Sequence, residues 1–372
     1  MTEMPPSIAQ VVSDDAFGPL KSHIVRLTGL AYYNDKEDAL AERLARRMAV
    51  NGIPDCAGYL RLLTSGSAAL SEVDALVSEL TVGETFFFRY IEQFEALRTT
   101  ILPECLERNR TTRRLRLWSA GCATGAEPYS VAVLVEELLG PQLPEWNVTL
   151  LATDINRDFL AQAKTGRYGS WALRSITETQ KSGLFEETNG LWHVKRKYRD
   201  MVTFAYHNLV TLCDEKATPI GHEAFDVILC RNVLIYFDRP SIRSLLPQLS
   251  RYLTDRGWLL VGHSEPSEDF SQTFDTVSAP GATLYRKALP APPPPIVAES
   301  PPIAARPPTR SHSPLSRPMP PRPMLRPPLP KLKPNPLSEV VALADQGHWE
   351  EARRVCDQLL DANAMNPVAH YY

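Results

Sequence analysis

The sequence predicts an α/β protein in which a mainly parallel sheet, covered by helices, follows an all-α segment. Three observations carry that prediction. Strand-like apolar runs alternate with helical patterns between residues 114 and 287, and such alternation builds a parallel sheet buried on both faces. Residues 15–80 instead carry short amphipathic helical patterns with turn residues such as Asn51-Gly52 between them. Nineteen of the 33 prolines fall between Pro290 and Pro336, a composition that cannot bury enough apolar surface to fold.

In chain order, helices are predicted over "PLKSHIVRLTGL", "DALAERLARRMAV", "CAGYLRLL" and "LSEVDALVSEL", giving a helical domain over residues 1–80. The stretch "ERLARRM" sets Arg43, Arg46 and Arg47 on one side of its helix. From spacing alone, that is a solvated basic face as readily as a docking face. In "LTVGETFFFRY" the three phenylalanines read as core, and Thr85 and Arg89 lie one helical turn apart. An arginine beside so much apolar surface needs a charged or ligand partner.

Strands follow over "RLRLWSA", "NVTLLAT", "VTFAYHN", "FDVILC" and "GWLLVGH", with "ATLYRKA" as an antiparallel edge, in a domain spanning residues 81–289. Residues 186–206 break the rhythm and read as a small antiparallel β-subdomain feeding the third strand. Residues 290–336 carry seven Lys or Arg and one acid, an extended basic linker. In residues 337–372, Trp349, Ala352, Cys356 and Leu359 fall at a spacing that resembles a partial tetratricopeptide repeat, a unit able to bind a further protein. An ordinary helical tail is the other reading.

Composition narrows the class. No apolar run approaches the roughly 18 residues of a membrane span, and "MTEMPPSIAQVVSDD" lacks the basic and apolar regions of a secretory signal. A cytoplasmic protein without membrane insertion is expected. The six cysteines are scattered with no CxxC pair, so neither a disulfide framework nor a metal site is expected. A net charge of −3 argues against a nucleic-acid partner.

Ligands of open parallel sheets lie at the carboxyl ends of the strands. After the first strand comes "SAGCATGAEP", where Gly121 and its small neighbours admit a ligand close to the backbone. Glu127 suits a cationic group such as an ammonium, or complements a helix amino terminus. Asp154 ends the second strand, placed for ribose hydroxyls or for capping the next helix. Asn208 and Leu209 end the third and suit an adenine edge. Arg231, Asn232 and Tyr236 crowd the end of the fourth, where packing alone requires no Arg-Asn pair. Ribose, adenine and an ammonium without phosphate recognition describe S-adenosyl-L-methionine better than a dinucleotide.

The motifs "TFFFR", "GCATGAEPYS", "ATDI", "FDVILCRNVLIYF" and "GWLLVGHSE" resemble, in order, those of the chemoreceptor glutamate methyltransferases, the CheR-type family, over about residues 15–287. The resemblance implies a helical amino-terminal domain and a Rossmann-like S-adenosylmethionine domain bearing a β-subdomain. It implies methyl transfer to glutamates on the cytoplasmic helices of chemoreceptors, leaving S-adenosyl-L-homocysteine. It further implies that Thr85, Arg89, Glu127, Asp154, Asn208, Leu209, Arg231 and Asn232 line the cofactor site. Arg89 and Tyr236 would also face the reacting carboxylate, and the Arg43, Arg46 and Arg47 helix would meet the acidic methylation helices.

Two departures matter. The stretch "LFEETNGLWHV" lacks the Gly-rich, Arg-containing turn of receptor-tethering members, so substrate recognition independent of a receptor's carboxyl-terminal pentapeptide is expected. Gly83 stands where many members have Asn. Asn232-Val233-Leu234-Ile235 replaces the Asn/Asp-Pro-Pro-Tyr motif of amide and adenine methylases, which argues against nucleic-acid amino groups. A small-molecule methyltransferase and a cofactor-sensing scaffold without catalysis are the competing readings.

Overall fold

The structure, a computed structural model, describes residues 6–214, 224–265 and 268–288. The expected linker and repeat lie outside the described residues. The described residues hold ten strands: β1 Arg114–Ala120, β2 Asn147–Asp154, β3 Arg167–Tyr168, β4 Phe185–Thr188, β5 Leu191–Val194, β6 Val202–Tyr206, β7 Phe225–Cys230, β8 Leu253–Val261, β9 Phe274–Ala279 and β10 Ala282–Lys287.

The seven-stranded main sheet runs β6-β2-β1-β7-β8-β10-β9. Its first five strands are parallel and its last two antiparallel. All six residues of β7 are buried, as a central strand covered on both faces must be. In β1, Leu115 and Leu117 pack into one core while Trp118 and Ala120 pack into the other, the period-two alternation of a strand. Helix Ala126–Leu139 fills the first face and helix Arg239–Arg251 the second. Chain order reverses beside β1, and the crevice at that switch is the expected ligand position.

The expected insertion is a separate three-stranded sheet, β3-β5-β4. It spans Arg167–Val194, earlier in the chain than the 186–206 expected, because Val202–Tyr206 pairs with β2 in the main sheet. Its β4-β5 hairpin turns on Asn189 and Gly190, with φ of 53° and 74°, the left-handed pair that a tight two-residue hairpin requires.

Helices Phe17–Thr28, Glu37–Val50, Cys56–Thr64 and Gly66–Leu80 form the amino-terminal part around Leu20, Ile24, Leu40, Leu44 and Met48. They are tied to the carboxyl edge of the sheet. Asn208 Nδ2 donates to Leu27 O at 2.7 Å, Asn156 Nδ2 to Thr81 Oγ1 at 2.8 Å, and Arg157 pairs with Asp74 at 3.0 Å. Among the described residues, no helix is long and apolar enough to cross a membrane.

Candidate active site

A cleft of about 1120 Å³, open mouth included, lies at the carboxyl ends of β1, β2, β6 and β7, with Thr28 and Leu30 of the helical part on its wall. The turn after β1 forms its floor. The Gly121 and Cys122 amides both donate to Thr153 O, at 2.8 and 2.9 Å. Gly121 adopts φ +76°, and a Cβ there would overlap the Val233 side chain. Only glycine satisfies both demands.

Asp154 is not the cap of the helix that follows it. Helix Arg157–Thr165 is capped by Asn156, whose side chain accepts from the Asp158 and Phe159 amides. Asp154 instead accepts from Ala123 N and Asn156 N, both at 2.8 Å, one to each oxygen. A carboxylate has about four acceptor positions, so lone pairs remain for the cleft it lines. Burial pushes its pKa up against the pull of those amides.

Glu127 sits in the first turn of helix Ala126–Leu139. Its carboxylate accepts from Ser119 Oγ at 2.7 Å and from Arg231 Nη1 at 2.8 Å. The Arg231 side chain is only 2% exposed; its guanidinium also donates to Gln93 Oε1 at 2.5 Å and to the Arg89 carbonyl. An arginine has five N–H donors, so two remain after these three bonds. Glu127 and Arg231 thus present an acid and a base side by side on the cleft wall.

Asn208 is occupied structurally: its Oδ1 caps the short helix Leu209–Cys213 through Val210 N, and its Nδ2 holds Leu27 O. Each end of the side-chain amide thus has one structural partner, and Asn208 and Leu209 both line the cleft. Asn232 has φ 59° without being glycine. The loop carrying it is held by Glu265, a residue the sequence reading passed over. The buried Glu265 carboxylate accepts from Asn232 N at 2.9 Å, Val233 N at 2.7 Å and Ile235 N at 3.2 Å, and also from Gly262 N. Tyr236 ends that loop and meets Tyr32 edge-on at 6.0 Å between centroids. Burial pushes its phenol pKa up, so the hydroxyl stays a donor.

Thr85 and Arg89 both line the cleft, but not across a helical turn. Residues 81–86 have no regular structure, and Phe88 and Tyr90 adopt φ of 54° and 62°, which a helix does not permit. Phe87 and Phe88 are core, whereas Phe86 is half-buried with the Arg174 guanidinium 3.5 Å from its ring centroid. Arg89 Nη1 donates to Glu84 O at 3.0 Å, and its guanidinium lies over Phe86 and Tyr90. Gly83 packs where a Cβ would come within 2.6 Å of the Phe159 ring.

The basic helix face is engaged within the chain. Arg47 pairs with Glu72 at 2.6 Å, Arg46 with Glu42 and Glu79 at 2.8 and 3.2 Å, and Arg43 donates to Glu79 O and Ala39 O. The five described cysteines are free thiols, Cys213 exposed and the others buried. His263 is exposed and meets Tyr90 edge-on at 4.4 Å.

The residues present fit S-adenosylmethionine. The Glu127–Arg231 pair complements an amino-acid zwitterion, Asp154 offers acceptors to a diol, and the first turn presents an acid where a phosphate would be repelled. His207, also missed in the sequence, lines the cleft with Nε2 buried and unpartnered. Burial pushes that imidazole down to about 4, so it is neutral near pH 7.

A sheet of this order with this cleft defines an S-adenosylmethionine-dependent methyltransferase. Residues 83–282 match the family described as "CheR methyltransferase, SAM binding domain", and residues 15–81 its "all-alpha domain". The chain is 33% identical over 263 residues to a probable chemotaxis protein methyltransferase of Rhizobium etli, covering 69% of this chain and 94% of that one. It is 32% identical over 278 residues to the chemotaxis protein methyltransferase of Escherichia coli K12, covering 74% and 91%. The protein belongs to the CheR methyltransferase family, and S-adenosylmethionine is its cofactor.

Proposed function

We propose that the protein is a cytoplasmic protein-glutamate O-methyltransferase that forms γ-methyl esters on the helical cytoplasmic domain of a methyl-accepting chemoreceptor. The observation that carries this reading is Arg89 and Tyr236 at the mouth of a cleft whose inner wall is the Glu127–Arg231 pair. The role of its relatives as chemotaxis protein methyltransferases supports the acceptor class.

The cofactor supplies a methyl group on an electrophilic sulfonium. Asp154 would accept from the ribose hydroxyls. The Asn208–Leu209 backbone and His207 would face the adenine. Thr85, Gly121, Glu127, Arg231 and Asn232 would hold the methionine end, with Arg231 also fixing the carboxylate of Glu127. An acceptor glutamate has a reference pKa of about 4.3 and is already anionic near pH 7. Its attack needs alignment and desolvation, not a general base. Arg89 would orient the carboxylate, and the Tyr236 hydroxyl would donate one hydrogen bond to it. The acceptor carboxylate oxygen would take the methyl group that the cofactor supplies, and no proton would need to move. Acceptor recognition is independent of a receptor pentapeptide, and the carboxyl-terminal repeat binds a further protein.

The test is transfer of labelled methyl from S-adenosylmethionine to a chemoreceptor cytoplasmic fragment. The expected product is label released as methanol by mild base, with Arg89→Ala at least about a hundredfold slower. Wild-type protein that binds the cofactor but places no base-labile methyl on any receptor fragment would refute the reading.

A further inference from the structure

The cations expected on the amino-terminal helix are engaged within the chain. We propose that Trp171 and Arg174, on the small β-subdomain, form a docking ledge for the acidic, partly apolar segment of the acceptor protein that flanks the glutamate being methylated. The proposal rests on the glutamate-methylation reading above and names where that acceptor is gripped.

Trp171 is 68% exposed, the most exposed aromatic side chain among the described residues. It is nonetheless held in place. It lies in the short helix Ser170–Leu173; Arg174 Nη1 donates to its carbonyl at 2.9 Å, and the Arg174 guanidinium lies 4.2 Å from its ring centroid. A rigid Trp beside a stacked Arg loses little entropy on binding, and these residue types dominate the energetics of protein interfaces.

The ledge is continuous with the reaction site. Phe87 N donates to Ala172 O at 3.0 Å, and Arg174 pairs with Glu84 at 3.4 Å. The Phe86 ring has Arg174 3.5 Å from its centroid and Arg89 at 5.8 Å. One ring therefore separates the ledge from the arginine that meets the reacting carboxylate. A segment whose glutamate enters the cleft passes beside it.

Charge selects the class of that segment. Glu84, the acid paired with Arg174, is itself 61% exposed and makes one long contact. Burial lowers the Arg174 pKa, the Glu84 carboxylate raises it, and the nearby charge of Arg89 lowers it again. Two guanidinium groups with one loosely held acid between them favour an anionic partner, and the indole adds an apolar contact.

The experiment compares full-length wild type with Trp171→Ala, Arg174→Gln and Arg174→Lys. It measures KM and kcat for a receptor fragment, and S-adenosylhomocysteine affinity by calorimetry. The expected result for Trp171→Ala is a KM raised about tenfold with unchanged cofactor affinity. Arg174→Gln should raise KM and flatten its salt dependence, and Arg174→Lys should restore part of the salt dependence. Wild-type KM in both Trp171→Ala and Arg174→Gln, with cofactor binding intact, overturns the ledge. A loss confined to kcat also overturns it, assigning the turn to holding Arg89 instead. A wild type that methylates no fragment overturns the functional reading itself, and the ledge with it.

Discussion

Replacing Glu265 by Gln tests how the fourth strand end acquires its shape. One carboxylate oxygen accepts from Val233 N and Ile235 N, at 2.7 and 3.2 Å; the other accepts from Asn232 N at 2.9 Å and from Gly262 N. A glutamine in either orientation turns its NH₂ toward two of those four amides. Two charge-assisted hydrogen bonds vanish, each worth about 1.5–3 kcal/mol, and two N–H donors are left facing another donor. The sum is about 3–6 kcal/mol, with the lower end favoured because the loop can relax. That is a large fraction of the roughly 5–15 kcal/mol of an ordinary domain. Urea unfolding of Glu265→Gln should show the loss, and calorimetry should show weakened S-adenosylhomocysteine binding, since Asn232 no longer has its amide anchored. An unfolding free energy within about 1 kcal/mol of wild type would refute the reasoning. It would mean that the native side chain is already protonated and equivalent to an amide.

His207→Phe should weaken S-adenosylhomocysteine about tenfold, the worth of roughly one hydrogen bond, without lowering the melting temperature, because it removes an orphaned buried nitrogen. With the imidazole held near 4, wild-type affinity should be flat from pH 6 to 8; a titration centred near 6.5 would place the ring in solvent instead. Burial alone would raise the Glu72 pKa, but Arg47, Tyr59 and Asn51 outweigh it and hold the carboxyl below its ordinary value. A depressed native pKa stabilises fully above the unfolded value of about 4.3 and is lost as pH falls through the native one. Wild type should therefore lose melting temperature below about pH 4.5 more steeply than Glu72→Gln, and parallel curves would count against the network.

Much of this was legible in the sequence because strand ends are local. Continuous apolar runs marked β1, β2, β6, β7 and β8, and residues at or just after the ends of the first four line the cleft. What escaped was set by distant partners or by unusual backbone. Glu265 acts on amides 30 to 33 residues earlier, and Arg231 finds Gln93 at a separation of 138. The basic helix face looked free until Glu72 and Glu79 of another helix packed against it. Thr85 and Arg89 were read on a helix because no glycine announces the left-handed Phe88 and Tyr90. β9 went unseen because an edge strand with one buried residue in six carries almost no apolar pattern.

In the proposed reaction, the arrangement of charge gives the two arginines different parts. Arg231 is buried and meets Glu127, Gln93 and a carbonyl. A buried ion pair is seldom the most stabilising filling for such a site, so this one is understood best as fixing an acid for a cationic ligand. Arg89 is half-buried, bonded to one carbonyl and resting on two aromatic rings. In the proposed reaction a carboxylate anion and a sulfonium cation neutralise each other, so the transition state carries less separated charge than the reactants. A poorly solvating cleft favours that change, and its walls include Val82, Phe159, Leu209 and Ile235. A fully desolvated arginine on the acceptor would work the other way, stabilising the anion most before it reacts. A partly solvated Arg89 aligns the nucleophile without gripping its charge. That division assigns the buried arginine to the cofactor side and the half-exposed one to the acceptor.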